Sequence, residues 1–194
     1  MVSDQERVNE HFAALLRART QCAWVSPTYV LLPPSADLTR LEGHEDIVVA
    51  VRDTYLPQEP AWLDELAGVL ALPGAAAVAP LLILNTHNQI LNAGWVKQEG
   101  GLEPLYPDCE ADGGGLAGPA DLVRDVDGLS PEILVFPRAT DHRELFTGIA
   151  RWEGWPDRLV MWGHVKFRLI NLPHRSGTLN GNLALSGPTV RFAR

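Results

Sequence analysis

The stretch from residue 60 to residue 94 constrains the fold more than any other part of the chain, because it predicts a helix, a buried strand and a return turn in fixed order. Pro60 suits a first helical turn, and apolar residues then recur at helical spacing over residues 62–70. Pro73-Gly74 ends that helix. Residues 75–84 are too apolar to alternate, which predicts a strand covered on both faces. This order of elements is typical of an α/β protein.

The remaining segments extend the same pattern. Ser3 and Glu6 have the spacing of a capping box, which predicts a helix that begins at Ser3 and ends near Arg19. Consecutive glycines at 113–115 predict that residues 105–119 form a flexible loop. We predict one domain over residues 1–194, with a central mixed sheet, flanking helices and a C-terminal extension at 179–194. Apolar and β-branched runs predict further strands at residues 22–25, 29–32, 46–51, 95–98 and 161–170.

Composition argues against several classes of protein. With 46% hydrophobic and 21% charged residues, the chain can form a substantial core, which argues against disorder. No apolar run reaches membrane-spanning length and the first residues do not resemble a signal peptide, so we expect no membrane span and a cytoplasmic location. In that reducing compartment, Cys22 and Cys109 are predicted to be free thiols.

Charge is distributed unevenly along the chain. The net charge is −8, yet residues 158–194 contain basic side chains and no Asp or Glu. This basic segment is either a solvated face that docks on the acidic remainder or a cradle for a diphosphate. Nucleic-acid binding is not expected, because the whole chain is acidic and no motif combines aromatic with basic residues.

The order of motifs within residues 60–94 resembles the middle of inverting family 2 glycosyltransferases, which have the GT-A fold. Those proteins have a helix with P-x-W-L, a strand with AVGP, and a short Q-x-x-x-AG segment. The chain has Pro60-Ala61-Trp62-Leu63, Ala77-Val78-Ala79-Pro80, and Gln89 through Gly94 in the same order. The resemblance, which covers residues 9–178, implies a reduced GT-A-like (nucleotide-diphospho-sugar transferase-like) fold. It also implies transfer of a sugar from a nucleotide-sugar to a glycan or other acceptor.

The resemblance implies a metal site as well, and the chain departs from the family there. In the family, a strand ends in Asp-x-Asp, whose carboxylates hold a divalent cation (Mn or Mg) against the diphosphate. Ser26-Pro27-Thr28 falls at that place and has no carboxylate. Asp53, which follows the strand predicted over residues 46–51, is the nearest substitute; the alternative, which the position favours, is a turn or capping aspartate. His174 matches the histidine of a terminal H-x-x-x-S/T motif that can complete a metal site.

Candidate catalytic residues are carried over from the same resemblance. Where the family has its general base, in EDVDL-x-x-R, the chain offers Asp141 and Glu153 as the candidate carboxylates. Trp152 and Trp155 flank Glu153, and their rings either stack on a sugar or anchor a core or an interface.

Candidate phosphate-binding residues follow His174 directly. The basic and hydroxyl side chains of Arg175, Ser176 and Thr178 could form a small anion pocket with it; the alternative is an ordinary surface loop. Ser130-Pro131 stands where the family has a Gly-Ala pair that touches the donor sugar.

The family has a nucleotide-binding half before the segment that Asn9 opens, whereas the chain begins just before Asn9. The absence of that half has three interpretations: the chain is a fragment, a split-gene product or a degenerate paralogue.

Two functional classes follow: a glycosyltransferase or part of one, and a non-catalytic GT-A-like module that binds a glycan or a partner chain. In either class we expect the isolated chain to bind nucleotide-sugars weakly or not at all and to be inactive alone. The edge formed by strands 22–25 and 46–51 predicts a homo-oligomer or a partner chain.

Overall fold

The computed structural model describes residues 4–24, 27, 46–84, 88–107, 109–111, 118–130, 132–138 and 158–170. Within these residues the protein is mixed α/β, with a strand-rich sheet and few helices. The helices are α1 (Asp4–Ala18), α2 (Trp62–Leu70) and a 3₁₀ helix (Gly118–Asp121). None of the helices in the described part of the chain is long and apolar enough to cross a membrane.

Nine strands account for most of the remaining described residues. In chain order they are β1 (Ile47–Val51), β2 (Tyr55–Pro57), β3 (Ala75–Ile83), β4 (Ile90–Asn92), β5 (Trp95–Gln98), β6 (Gly101–Pro104), β7 (Val123–Val126), β8 (Ile133–Pro137) and β9 (Arg158–Leu169).

Seven of these strands form one mixed sheet. Its order is β1-β8-β3-β9-β2, with β4 added to β3 and β7 added to β9. Strand β8 runs antiparallel to both β1 and β3, and β3 runs parallel to β9. Strands β1, β3 and β9 therefore point the same way, and their carboxyl ends lie at one edge of the sheet. Strands β5 and β6 form a separate antiparallel hairpin.

The two faces of the sheet are covered differently. On one face, α1 and α2 bury Phe12, Leu16 and Trp62 against β1, β3, β8 and β9. The ring of Trp62 meets Phe167 edge to face at 5.1 Å between centroids. On the other face, Leu129, Ala111 and Ala120 are among the residues from loops and the 3₁₀ helix that pack on the sheet. Strand β3 is thus buried on both faces, as its unbroken apolar sequence predicts.

Helix α2 forms where the sequence predicts it. The apolar face predicted for it is the face that is buried, and acidic side chains in the first turn suit the positive end of the helix dipole. Gly74 adopts a positive φ of 77°, a conformation that favours glycine and turns the chain from α2 into β3.

Several boundaries differ from the sequence-based expectations. The predicted strand at 22–25 is wrong for residues 22–24, which carry no strand. Ala23 N donates instead to the Asp64 carboxylate of α2 at 2.5 Å, and the preceding Gln21 N donates to Pro60 O, just before α2, at 2.7 Å. The strand predicted at 46–51 is confirmed as β1, and the strand predicted at 161–170 begins three residues earlier, at Arg158.

Other expectations are confirmed only in part or are not tested. The predicted loop 105–119 ends in the 3₁₀ helix, and residues 112–117 lie outside the described residues. The extension at 179–194, the strand at 29–32 and Ser3 of the capping box also lie outside them. Strands β2 and β6 had no sequence-based prediction.

Candidate functional site

The candidate site lies where β1 ends at the carboxyl edge of the sheet. After Val51, the turn Arg52-Asp53-Thr54 leads directly into β2. Tyr55 N donates to Arg52 O at 3.1 Å, and Ile170 N donates to Thr54 O at 2.7 Å. The turn is therefore fixed between its own strand and the end of β9.

A buried ion pair connects this turn to the start of β8. The Arg52 guanidinium donates through Nη1 to both carboxylate oxygens of Glu132, at 2.6 and 2.8 Å. Both side chains are about nine-tenths buried, with 11% and 7% exposed. Arg52 N also donates to Glu132 O at 2.9 Å. The ladder between β1 and β8 therefore ends with one backbone hydrogen bond and one charge-assisted contact between side chains.

Two further polar groups complete this cluster. Asp53, which follows Arg52 in the chain, is fully buried, with 0% of its surface exposed. Burial and the charge of Glu132 raise the pKa of the Tyr55 phenol well above its usual value, while Arg52 partly opposes the shift. The phenol therefore stays protonated through the neutral range. We call Arg52, Asp53, Tyr55 and Glu132 the β1-end cluster.

A second polar contact lies at the same edge, at the end of β9. Arg168 pairs in register with Ile83 at the end of β3, and its Nη2 donates to Asn88 Oδ1 at 2.6 Å. Asn88 has a positive φ of 52°, a left-handed conformation that asparagine tolerates better than most residues. Its carbonyl accepts from Ala111 N at 2.7 Å, so the loop around Ala111 is tied to the carboxyl edge.

Of the residues predicted to form the site, the structure describes Asp53 alone. It lies at the carboxyl end of β1, where the sequence predicts it. The remaining candidates lie outside the described residues, and the predictions for them stay predictions: Asp141, Trp152, Glu153, Trp155, His174, Arg175, Ser176 and Thr178. Ser130 is half-buried just before β8, and its Oγ accepts from Glu132 N at 3.4 Å.

Sequence reasoning missed Arg52 and Glu132 as a pair. A signal was present, because each is a charged residue that borders an apolar strand, and their charges are opposite. Their partnership depends on the pairing of β1 with β8, which joins residues 80 positions apart. Sequence periodicity is local and does not report such a contact.

The described residues by themselves do not fit a divalent cation. Hard cations such as Mg²⁺ and Mn²⁺ take about six oxygen ligands, usually with more than one carboxylate. Among the described residues, no group of three or more His, Cys, Asp and Glu side chains is arranged to hold a metal. The Glu132 carboxylate of the cluster is already bound to the Arg52 guanidinium.

The fold and the cluster define an α/β protein with buried polar residues at the carboxyl edge of a mixed sheet. Comparison of the chain with protein-family models found no matching family, and comparison with curated proteins found no match.

Proposed function

We propose that this protein is a glycosyltransferase-like domain of the family 2 type, with a reduced GT-A-like fold. In this proposal a nucleotide-sugar binds at the carboxyl edge of the sheet, and the sugar passes to a glycan acceptor, with this chain acting as part of a split or degenerate enzyme. The resemblance within residues 60–94 suggests the class, and the position of the β1-end cluster supports the site.

The single observation that carries the proposal is the burial of polar side chains at this edge. The polar or charged residues that are buried in the described part of the chain are Asp53, Asn92 and Glu132, and two of them belong to the β1-end cluster. Buried charge is costly unless it is paired or used, and ligands of open α/β sheets bind outside the carboxyl ends of the strands. The metal-binding carboxylates of the family also follow a strand end, as Asp53 does, although their own place in the chain is taken by Ser26-Pro27-Thr28.

The proposal gives each part of the site a role. At the β1-end cluster, the fully buried Asp53 and the paired Arg52 and Glu132 are proposed to hold the turn that borders the donor site. Asp141 or Glu153 is the proposed general base for the acceptor hydroxyl. Trp152 and Trp155 are proposed to stack on sugar rings, and His174 with Arg175, Ser176 and Thr178 is proposed to contact phosphate.

A second function, a non-catalytic module that binds a glycan or a partner chain, is favoured by one specific observation. Glu132 is already neutralised by Arg52 at 2.6 Å, so part of the charge at this edge serves the fold rather than a ligand. Fold-level likeness cannot decide between the two functions.

Titration of the ¹⁵N-labelled chain with uridine, guanosine and thymidine diphosphates tests the proposal. NMR detects even millimolar binding, about −4 kcal/mol. For the transferase class we expect one nucleotide to shift the amides of Arg52, Asp53 and Glu132, and we expect Asp53→Asn to abolish the shifts. Asp46→Asn is the matched control, because Asp46 is exposed at the opposite end of β1. A folded wild-type chain that responds to none of the three nucleotides, but does respond to glycans, would favour the non-catalytic module.

A further inference from the structure

We propose that the residues around Tyr106 form a latched strap, whose middle lifts from the sheet when Tyr106 leaves Arg124. The strap consists of residues 105–107 and 109–111, which connect the hairpin β5–β6 with the carboxyl edge on the face opposite the helices. It is a conformational device of the fold itself and does not depend on the proposed function.

The first observation is the backbone conformation of Tyr106. Its φ is 52°, in the left-handed region, which a bulky side chain rarely adopts. Among the described residues other than glycine, the positive φ angles are those of Tyr106 and Asn88, and Asn88 O accepts from Ala111 N of the strap at 2.7 Å. Both unusual conformations therefore belong to the strap and its anchor. Such strain persists only where the surrounding structure holds it, and it is typical of segments that switch between two states.

The second observation is the contact that holds Tyr106. The Arg124 guanidinium donates from Nη1 to the phenol oxygen at 2.6 Å, and its central carbon lies 5.0 Å from the centre of the ring. Arg124 belongs to β7, where it pairs in register with Met161 of β9. A hydrogen bond from a charged donor and a cation–π contact thus oppose the strain of the closed strap, and both come from a side chain of the sheet.

The third observation is that both ends of the strap are anchored. Leu105 N donates to Gly94 O at 3.0 Å, and Ala111 N donates to Asn88 O. Asn88 is itself held, because Arg168 Nη2 donates to its side chain at 2.6 Å. The ends therefore stay on the sheet when the latch is released.

The middle of the strap is held by fewer contacts. Tyr106 and Cys109 lie at the rim of the core and are only partly buried. Cys109 O accepts from Ile90 N of β4 at 2.8 Å. Segments with few buried apolar contacts open most readily. Release of Tyr106 should therefore expose the Cys109 thiol and free the Ile90 amide, which leaves an edge of β4 open beside the carboxyl edge of the sheet.

Alkylation of Cys109 tests the latch. In a Cys22→Ser background Cys109 is the sole thiol, and iodoacetamide reacts with it when the strap is open. We expect Arg124→Gln and Tyr106→Phe to speed the reaction on the order of tenfold, because each removes the hydrogen bond of the latch. Arg158→Gln is the matched control, since it removes an arginine of β9 from an exposed ion pair and should leave the rate unchanged.

Hydrogen exchange of the same variants distinguishes release of the strap from general loosening of the fold. The Ile90 amide should exchange faster than in the wild-type chain. The amides of Leu105 and Ala111, which anchor the strap, and of Val78 in the middle of β3 should keep their wild-type rates.

Two substitutions at position 106 test the strain. Tyr106→Asn and Tyr106→Ala both remove the ring and the latch, but asparagine tolerates a left-handed backbone and alanine disfavours it. Cys109 should therefore be alkylated several-fold more slowly in Tyr106→Asn than in Tyr106→Ala.

Three results would overturn the inference. One is a rate of Cys109 alkylation that neither Arg124→Gln nor Tyr106→Phe changes. Another is equal acceleration of the Ile90 and Val78 amides, which would mean that the whole fold loosens. The third is equal alkylation of the two variants that test the strain. If Arg124→Gln does not fold, Tyr106→Phe decides the question of the latch.

Discussion

At the scale of single residues, the ion pair between Arg52 and Glu132 matters for stability mainly when one of its two charges is removed. Both partners lost their hydration on folding, so the net gain from the pair is small. Removing one partner leaves the other buried and uncompensated. The two side chains are therefore interdependent, and mutation of either one should affect the junction of β1 and β8.

We predict that Glu132→Ala lowers the free energy of unfolding by about 3–5 kcal/mol, because the Arg52 charge stays buried alone. Urea denaturation followed by circular dichroism measures the change. Asp125→Ala is the comparison, since it removes the carboxylate of an exposed ion pair with Arg158 and should leave the midpoint nearly unchanged. If both variants lost the same free energy of unfolding, the buried pair would be no more important for stability than the exposed pair.

Cys22 offers a prediction about pH. Burial, and secondly the charge of Asp64, raise the pKa of its thiol from 9.0 to about 11. The raised pKa means that the neutral thiol is favoured in the folded state. Its contribution to stability is therefore complete below pH 9 and is lost as the pH rises towards 11.

In a Cys109→Ser background, Cys22 is the sole remaining thiol. Between pH 7 and 8.5, iodoacetamide should alkylate the folded chain on the order of 100-fold more slowly than the urea-unfolded chain, because the thiolate is the reactive form. Mass spectrometry follows the reaction. Similar rates in the folded and unfolded chains would show that the environment of Cys22 does not protect the thiol.

At the scale of elements, glycine has opposite roles in β9 and α2. A Cβ at Gly163 would lie 1.4 Å from the carbonyl oxygen of Ala120 and 2.5 Å from its carbon, so the 3₁₀ helix packs directly against the strand backbone. A Cβ at Gly68 would meet nothing within 4 Å. The first glycine is required by a close approach, whereas the second lies at an exposed position in a helix.

The two glycine-to-alanine substitutions should therefore change stability in opposite directions. Gly163→Ala is expected to cost at least about 1–3 kcal/mol, because one of two backbone segments must move. Gly68→Ala is expected to stabilise the protein by about 0.5–1 kcal/mol through helix propensity. Thermal unfolding of both variants checks the prediction. A neutral Gly163→Ala would mean that the 3₁₀ helix does not pack on β9 as described.

The elements also show what sequence could predict. Helix α2 and strand β3 were predictable because their signals, an apolar periodicity and an unbroken apolar run, are local. The strand predicted at 22–25 failed because its backbone binds Asp64 and Pro60, which are distant in sequence. At the site, the position of Asp53 followed from the end of a strand, whereas the pairing of Arg52 with Glu132 required the topology of the sheet.

At the scale of the whole molecule, β1 lies at one end of the strand order. Among the described residues, its strand neighbour is β8, on one side only. The backbone groups on its other side can accept another strand. The sequence-based prediction of an assembly at this edge stays a prediction, and residues 22–24 take no part in the edge as a strand.

We predict that the protein forms a homodimer through the outer edge of β1. Light scattering should show a mass that rises with concentration, and the amides of Ile47 through Val51 on the outer side should exchange more slowly with solvent in concentrated samples. A monomer at high concentration, with exchange of β1 independent of concentration, would count against the dimer.

Strand β9 pairs with different strands along its two halves. Its first half pairs with β7 and its second half with β2, and the register with β3 jumps between Pro80–Trp162 and Leu81–Lys166. The residues between the two halves interrupt the ladder and include Gly163. The bulge therefore lets one strand serve two sets of neighbours, with β7 beside its first half and β2 beside its second, while β3 runs along both halves and joins them.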